Sequence, residues 1–374
     1  MTYDVAVIGL GAMGSAALFH LAQRGINAIG IERFEPGHDR GSSHGESRII
    51  RLAYFEHPSY VPLLRRAYEN WRALETLSGE NLLTITGILE AGPPGSPLVA
   101  CSLEACRLHD IDHEELEGRA ISSRFPAFHL PESYRGVWQR DGGYLKPELA
   151  IQTHLRLATA AGAETLTGTA VRAVTPTPGH IAIDLGDRTI EAGAVILGTG
   201  AWIGDLVPAL KRHLRLTRQT LCWYRPKTPA PFAPGKLPVF IVESEDDAVY
   251  GFPDFAGTGF KCASHRIGPV QLHADDARAT PAAEDAAPTD RFLARFMPEA
   301  LGGLAAMKTC LYTRTPDEDF ILDLAPDDPR LVIASPCSGH GFKFASVIGE
   351  ILADLATTGT TPHDISRLSF ARFG

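Results

Sequence analysis

Long apolar runs, basic segments and paired cysteines are all scarce in this sequence of 374 residues. No stretch of ~18 or more apolar residues runs uninterrupted, so we expect no membrane-spanning helix. The net charge of −9, without a Lys/Arg-rich segment to offset it, argues against nucleic acid as a partner. The six cysteines contain no C-x-x-C pair and are too few for a disulfide scaffold, which predicts a reducing, cytoplasmic setting. No basic segment precedes the first apolar run, so no signal peptide is expected.

The remaining composition is that of a soluble globular protein, with 44% hydrophobic and 21% charged residues. The length exceeds the common domain size of ~100–150 residues, which favours two domains or one unusually large α/β unit. The 36 glycines and 27 prolines indicate many tight turns and close backbone approaches.

A β-α-β unit is predicted at the N-terminus. Asp4 to Gly9 is typical of a buried strand, Met13 to Arg24 of a helix rich in small residues, and Asn27 to Ile31 of a second strand. The unit spans about 30 residues, as expected for a parallel pair with a crossover helix.

The segment from Gly9 to Gly14 matches G-x-G-x-x-G between that strand and helix. Gly9 permits the tight turn, Gly11 lets the backbone approach a pyrophosphate, and Gly14 allows close helix–strand packing. Glu32 ends the second strand, where a carboxylate accepts hydrogen bonds from an adenosine ribose. Dinucleotide binding follows, but the pattern leaves NAD and FAD open, because both present the same adenosine diphosphate half.

The rest of the chain alternates between segments typical of an α/β domain and segments typical of an antiparallel sheet. Helices are predicted over Tyr60–Leu77, Pro147–Ala161 and Phe342–Ala356, with strands over Ala192–Gly200 and Leu331–Ala334. Residues 81–146 are expected to form short strands and turns, and residues 214–312 an antiparallel sheet. The fold class is therefore α/β plus antiparallel β, a Rossmann-type domain (1–82, 142–212 and 316–374) interleaved with a mostly antiparallel substrate domain (83–141 and 213–315).

Residues 41–51 form a polar stretch that contains Arg48 and Arg51. On a helical turn these two arginines would share a face. One guanidinium would then clamp a carboxylate while the other lies over a flat cofactor. A solvated basic turn is the alternative interpretation.

Six segments carry a resemblance to a known family: Gly9–Gly14; Gly41–Arg51 followed by Tyr54; Gly198–Trp202; Tyr250–Pro253 with Lys261 and His265; Lys308–Phe320; and Ser338–Lys343. Over nearly its whole length, the sequence resembles the monomeric sarcosine oxidases and N-methyltryptophan oxidases of the D-amino-acid-oxidase-like flavoproteins. The resemblance implies that the Rossmann-type domain binds FAD.

The resemblance also implies roles for individual residues. Cys310 matches the cysteine that forms a thioether to the flavin 8α-methyl group, and Arg48 the arginine that lies against the flavin ring. Arg51 and Lys343 match the pair that binds the substrate carboxylate, and Lys261 the lysine that assists oxygen reduction. The substrate cavity and catalytic group would further include Tyr250, His265 and Tyr312. The expected cofactor-binding set is Gly9, Gly11, Gly14, Glu32, Ser42, His44, Arg48, Cys310, Gly339, Gly341 and Lys343.

The activity implied is FAD-dependent oxidation of a secondary amine in sarcosine or another N-methyl amino acid. The imine product hydrolyses to an aldehyde and an amino acid, and O2 is reduced to H2O2. The expected partners are a small amino-acid substrate and O2, with no metal, and the expected state is a monomer. Residues 55–57 depart from the sarcosine enzymes near the cavity entrance, which leaves oxidation of a cyclic or bulkier N-alkyl amino acid (pipecolate, N-methyltryptophan) open. The rivals are a nicotinamide-dependent dehydrogenase and a flavin-binding protein without turnover.

Overall fold

The computed structural model describes residues 2–265, 268–277 and 280–373. Its helices are α1 (Ala12–Gln23), α2 (Val61–Ser78), α3 (Pro97–Leu108), α4 (Gly118–Arg124), α5 (Pro147–Ala160), α6 (Ile203–Leu206), α7 (Pro208–Lys211), α8 (Ala287–Phe296) and α9 (Ala345–Thr358). Its strands are β1 (Thr2–Ile8), β2 (Ala28–Ile31), β3 (Arg48–Ile50), β4 (Leu83–Ile85), β5 (Ile88–Gly92), β6 (Glu114–Glu117), β7 (Arg135–Gln139), β8 (Gly143–Leu145), β9 (Glu164–Leu166), β10 (Ala173–Pro176), β11 (Ile181–Asp184), β12 (Thr189–Leu197), β13 (Arg215–Tyr224), β14 (Val239–Glu243), β15 (Ala248–Phe252), β16 (Phe260–Ser264), β17 (Val270–Gln271), β18 (Leu304–Arg314), β19 (Ile321–Ala325) and β20 (Asp328–Ser335).

An eight-stranded sheet carries the N-terminal β-α-β unit. Its centre is the parallel set β9-β2-β1-β12-β20. Strand β12 is long enough to pair its first half with antiparallel β11 and its second half with parallel β20. The predicted β-α-β unit is confirmed, with each boundary within two residues of its expected place.

Helix α1 packs against the sheet and lies between α5 and α9. The close approach depends on Gly14, because a Cβ atom there would lie 1.8 Å from the carbonyl oxygen of Gly9. The small residues of α1, including Ala16 and Ala17, are fully buried at this contact. The sequence of α1 therefore fixes the helix tightly over the carboxyl end of β1.

A nine-stranded sheet forms the second half of the molecule, in the order β17-β13-β16-β15-β14-β5-β7-β6 with β18 also paired to β13. All neighbours are antiparallel except the parallel pair β5 and β14. The prediction of a mostly antiparallel second region is confirmed. A smaller sheet of three strands, β3-β8-β4, lies beside it.

Two expectations for this half were wrong in detail. Residues 81–146 contain helices α3 and α4 as well as strands, and residues 214–312 contain helix α8. Helix α3 begins at a proline in its first turn, and the Ser96 hydroxyl accepts a hydrogen bond from the Val99 amide. These are ordinary signals of a helix N-terminus, but the preceding Pro-Pro-Gly sequence led us to expect a turn here.

The expectation of a helical turn for Arg48 and Arg51 was also wrong. Arg48 begins strand β3 and Arg51 follows its end. Since side chains alternate along a strand, residues three apart point to opposite sides. The two guanidinium groups therefore point in different directions. The division into two domains stays a prediction. Within the described part of the chain, no helix is long and apolar enough to cross a membrane.

Candidate active site

One continuous pocket runs between the two large sheets. At one end it is lined by the carboxyl ends of β1 and β2, and at the other by β14, β15, β18 and the turn after β20. In doubly wound sheets this edge is the usual ligand site. Of the residues predicted from the sequence, the pocket brings together Gly9, Gly11, Glu32, Ser42, Arg48, Arg51, Tyr250, His265, Cys310, Tyr312, Gly339, Gly341 and Lys343. Gly14, His44 and Lys261 lie behind its walls.

The turn between β1 and α1 has the shape that a pyrophosphate needs. A Cβ atom at Gly11 would meet only the Ser43 hydroxyl, at 3.9 Å, so the backbone faces open pocket at this point. The N-terminus of α1, at Ala12, supplies unpaired N–H groups and a positive dipole end. The local chemistry is that of a phosphate site.

The carboxylate of Glu32 is held in place by backbone amides. Its oxygens accept hydrogen bonds from the amides of Leu10 (2.7 Å) and Phe34 (3.0 Å). Burial raises the pKa of Glu32, but these bonds and nearby His38 outweigh it and lower the pKa below its usual value. An ionised, fixed acceptor at this edge suits the hydroxyls of a ribose.

Several buried polar atoms beside the pocket have no hydrogen-bond partner within the described chain. They include both ring nitrogens of His44 and the hydroxyls of Thr199 and Thr313. Burial, followed by the charge of Arg48, lowers the pKa of His44 to about 4, so its imidazole is neutral at physiological pH. Such groups are costly unless a ligand completes them. Together with the open backbone at Gly11, they fit FAD.

Arg48 and Cys310 meet in the middle of the pocket. Arg48 donates hydrogen bonds from Nη2 to the Ser42 carbonyl (2.7 Å) and from Nη1 to the Ser47 carbonyl (2.8 Å). These bonds fix the guanidinium plane. The Cys310 Sγ atom lies 3.8 Å from Arg48 Nη2 and is almost fully buried. The Ser42 hydroxyl donates to the Leu311 carbonyl and so ties the two segments together.

Arg51 lies deeper and is already surrounded by the chain's own carboxylates. Its Nη2 donates to Glu56 Oε2 (2.6 Å), and its Nε lies 2.6 Å from Glu90 Oε1 with poor hydrogen-bond alignment. The aromatic rings of Tyr54 and Phe55 cover it at 4.7 and 4.5 Å. Burial lowers the pKa of Arg51, but the two carboxylates outweigh this and raise it. The guanidinium is therefore a permanent cation.

Lys343 is the second cation at this end. Its Nζ donates to the His340 carbonyl (2.6 Å) and lies 5.3 Å from the ring centre of Tyr54. The Lys343 carbonyl accepts a hydrogen bond from the indole of Trp71, which anchors the turn to α2. Burial lowers the pKa of Lys343 to about 7. Arg51 and Lys343 together give the pocket a fork and a point charge for a carboxylate.

Three aromatic side chains form the adjoining wall. His265 lies edge-on to Tyr250 and to Tyr312, with ring centres 6.1 and 6.0 Å apart. Burial lowers the pKa of His265 to about 3, and burial raises the pKa of Tyr312 to about 12. Gly339, with φ of +84°, brings its backbone against the Tyr312 ring. At neutral pH this wall carries no charge.

Lys261 lies behind the wall and beside Arg48. Its Nζ and the Arg48 Nη1 are each 3.7 Å from the position that a Cβ atom on Gly45 would take. The Nζ donates to the Gly45 carbonyl (2.5 Å), the Ser47 carbonyl (3.0 Å) and the Ser47 hydroxyl (3.1 Å). Burial lowers the pKa of Lys261, but three oxygen acceptors match the three N–H groups of an ammonium ion and oppose that shift.

Sequence reasoning missed Glu56 and Glu90 as contacts of Arg51, and Ile241 and His340 as lining residues. For Glu56 the signal was its place five residues after Arg51 in a segment already expected at the entrance. For Glu90 the signal was a single acid in the apolar strand β5. Neither signal shows which cation the carboxylate would contact.

The fold and the site define a flavin-dependent oxidoreductase. The family model described as FAD dependent oxidoreductase matches residues 4–355. Monomeric sarcosine oxidase of Streptomyces avermitilis is 40% identical over 97% of this chain and 96% of its own length. N-methyl-L-tryptophan oxidase of Yersinia pestis is 36% identical over the full length of both chains. The solved structure of NikD, an amino acid oxidase of nikkomycin biosynthesis, superposes with a TM-score of 0.87 at 26% identity, over 98% of this chain and 97% of NikD.

This chain therefore belongs to the FAD-dependent oxidoreductase family that contains the monomeric sarcosine oxidases and N-methyl-L-tryptophan oxidases. The expected resemblance, fold class and FAD cofactor are confirmed, and the nicotinamide alternative is set aside. The roles of the individual site residues stay predictions.

Proposed function

We propose that this protein oxidises the secondary amine of sarcosine or of another small N-methyl amino acid. The single observation that carries the proposal is the placement of Arg51 and Lys343 in the same pocket as Arg48 and Cys310. This placement supports a carboxylate clamp beside the proposed flavin-binding position. Bound FAD supplies the redox chemistry, as acceptor of hydride from the carbon next to nitrogen and donor of both electrons to O2. The imine hydrolyses to an aldehyde and an amino acid, and O2 becomes H2O2.

The chain's own residues bind and orient the substrate. Arg51 and Lys343 hold the carboxylate, for which Arg51 exchanges its bond to Glu56 for one to the substrate. Tyr250, His265 and Tyr312 border the amine end. Because burial keeps His265 neutral, and the cations Arg48, Arg51 and Lys343 outnumber the anion Glu56 in this part of the pocket, the site favours the neutral amine over the ammonium form. Only the neutral amine has the nitrogen lone pair that assists hydride departure.

Lys261 is assigned to the oxygen half of the reaction. Its ammonium group is buried beside Arg48 and is not part of the pocket lining that meets the substrate. A cation fixed in a site of low dielectric stabilises superoxide, the anion formed when O2 takes its first electron.

Cys310 is proposed to carry the flavin as a thioether. The support is its burial in the pocket wall and the 3.8 Å contact between its Sγ and the Arg48 guanidinium, the side chain proposed to lie against the flavin ring. Acid precipitation of the wild type should then leave yellow colour in the pellet, and Cys310→Ala should release it to the supernatant. Cys222→Ala is the matched control, because Cys222 is a buried thiol on strand β13 in the core of the nine-stranded sheet, and this variant should retain the colour. Wild-type flavin found wholly in the supernatant contradicts the attachment.

A small substrate is favoured over a bulky one. The ring of Phe55 packs over Arg51 with the guanidinium carbon 4.5 Å from the ring centre, and so occupies space beside the carboxylate position. The relatives at similar identity include enzymes named for N-methyl-L-tryptophan, which makes the larger substrate the alternative. We further propose a cytoplasmic monomer, in keeping with the names of the sarcosine oxidase relatives.

The test is a peroxide and formaldehyde assay over a panel of N-methyl and cyclic amino acids. Sarcosine should yield both products in equal amounts and with a higher kcat/KM than N-methyltryptophan or pipecolate. Peroxide from pipecolate without formaldehyde, at a higher kcat/KM, would favour the cyclic alternative. A yellow protein that produces no peroxide from any of these amines would contradict oxidase function.

A further inference from the structure

Glu90 is a buried carboxylate at a position where the rest of its strand is apolar. Its neighbours Leu89 and Ala91 point into the core of the second region, and Ile88 packs into the core on the other face. Glu90 faces the same side as Ile88 and pairs in register with Ile241, which lines the pocket. The side chain has no exposure at all, so it lies directly behind the pocket wall.

The partners of Glu90 are one permanent cation and one hydroxyl. Its Oε1 lies 2.6 Å from Arg51 Nε, and its Oε2 accepts a hydrogen bond from the Ser102 hydroxyl (2.9 Å). The other titratable groups close enough to interact are Glu56, Lys343 and the Cys106 thiol. Arginine can only donate, whereas a serine hydroxyl either donates or accepts. Ser102 can therefore form a hydrogen bond with Glu90 Oε2 whether or not the carboxyl group carries a proton.

Arg51 and Glu56 carry permanent, opposite charges, whereas burial places the pKa values of Lys343 and Glu90 at about 7. With Lys343 protonated and Glu90 ionised, the four charges around Arg51 balance before a substrate arrives. A substrate carboxylate adds a negative charge to a buried cluster, which is costly unless another charge leaves. Glu56 has 11% of its side chain exposed and lines the pocket, and Arg51 outweighs burial and lowers its pKa to about 2, so it keeps its charge. Glu90 is fully enclosed, so a proton is its only means of becoming neutral.

We propose that Glu90 takes up a proton when a substrate carboxylate binds to Arg51, so that acid binding and protonation of this residue are coupled. The inference rests on the proposed carboxylate clamp and assigns Glu90 as its positioning residue. The proton lies on Oε2, donated to Ser102, while Oε1 continues to face Arg51 Nε and keeps the guanidinium fork turned toward the pocket. Burial, opposed by Arg51, raises the pKa of Glu90 to about 7, which puts the proton exchange within reach of neutral pH.

Calorimetric titration of the holoenzyme with methoxyacetate tests the coupling. This ligand keeps the carboxylate of sarcosine and replaces the amine by an ether oxygen, so it does not itself titrate near neutral pH. Binding is measured at about pH 8 in two buffers of different ionisation enthalpy. The wild type should take up roughly one proton for each ligand, and its Kd should rise with increasing pH up to about tenfold per unit.

Glu90→Gln should bind methoxyacetate with almost no proton uptake and a much flatter pH profile. Glu243→Gln is the matched control, because Glu243, on the neighbouring strand β14, is another buried carboxylate that accepts a hydrogen bond from a serine, Ser96. It should behave as the wild type. Unchanged proton uptake in Glu90→Gln overturns the inference and assigns the proton to Lys343 instead.

Ser102→Ala provides a second variant that leaves the carboxylate in place. The Ser102 hydrogen bond lowers the pKa of Glu90, so its loss should move the proton uptake to higher pH. A profile identical to that of the wild type contradicts the proposal. Since these measurements need no turnover, the two levels of failure are distinct. A protein that binds no carboxylic acid contradicts the proposed clamp, whereas acid binding without proton uptake contradicts only the role of Glu90.

Discussion

The two ends of the pocket treat their ligands in opposite ways. At the dinucleotide end the chain leaves some of its binding groups unpaired, as the ring nitrogens of His44 and the open backbone at Gly11 show for the described residues, and pairs Glu32 only with neutral backbone amides and His38. At the carboxylate end the binding cation, Arg51, is already paired with Glu56 and Glu90. The dinucleotide end is therefore ready to bind its ligand without losing an internal contact, whereas Arg51 must give up an internal carboxylate to bind a substrate.

This difference follows from how long each ligand stays. A resident cofactor binds once, so preformed donors with no internal competitor give the greatest affinity. A substrate must enter and leave in each turnover. The internal carboxylates keep Arg51 neutralised between substrates and lower the net gain of carboxylate binding, which keeps the site reversible.

The largest effect is expected at the dinucleotide end, from Gly14→Ala. The new Cβ atom would lie 1.8 Å from the Gly9 carbonyl oxygen, and backbone on both sides leaves no room to relax. Flavin content, measured by absorbance of the purified protein, should fall below roughly a tenth of the wild-type value. Gly204→Ala is the control, because its Cβ atom meets only ordinary contacts at 3.4 Å or more. Full flavin content in Gly14→Ala would show that this end tolerates imperfect geometry.

The next effect separates the two half-reactions through Lys261→Met. Removal of the ammonium should slow reoxidation of the reduced enzyme by O2 by about a hundredfold, because superoxide loses its fixed counter-charge. Reduction by substrate under nitrogen should change only modestly. Stopped-flow absorbance measures both rates. Lys308→Met is the control, because Lys308 is exposed and its Nζ lies 6.0 Å from the Trp223 ring centre, compared with 5.5 Å for the Nζ of Lys261. A wild-type rate of reoxidation in Lys261→Met would remove Lys261 from the oxygen step.

At the carboxylate end, Lys343→Met should have a smaller but distinct effect. Loss of one charge-assisted contact costs about 2 kcal/mol, or roughly thirtyfold in kcat/KM. Steady-state peroxide production from sarcosine measures it, with the exposed Lys211→Met as control. If kcat/KM is unchanged, Arg51 alone binds the carboxylate.

The smallest effect is expected from Glu56→Gln, and its sign is opposite. The Arg51 charge outweighs the effect of burial and lowers the pKa of Glu56 to about 2, so this side chain is a charged competitor for the substrate carboxylate. Its neutralisation should improve methoxyacetate binding by about threefold. Flavin absorbance changes on titration give the Kd. Weaker binding in the variant would mean that Glu56 supports the clamp and does not compete with it.

The two ends also differ in how far they could be predicted from the sequence. The β-α-β unit was predictable because the strand pattern, the helix pattern and three glycines occur together within one short segment. Glu90 was not, since an acid in a strand normally marks an exposed side, and nothing local shows that β5 is enclosed on both faces. Arg48 and Arg51 were recognised as functional, but their spacing was interpreted with helical geometry, whereas β3 turns them to opposite sides. Partners distant in sequence therefore determine the details that local patterns omit.

The most direct test of the account compares sarcosine with its methyl ester under nitrogen. Both carry the same N-methyl amine, but only the acid has a charge for Arg51 and Lys343 to bind. On mixing with the oxidised holoenzyme, sarcosine should bleach the visible flavin absorbance, and the ester should do so at least roughly thirtyfold more slowly at equal concentration. Equal rates of bleaching by the acid and the ester would contradict the carboxylate clamp on which the proposed function depends.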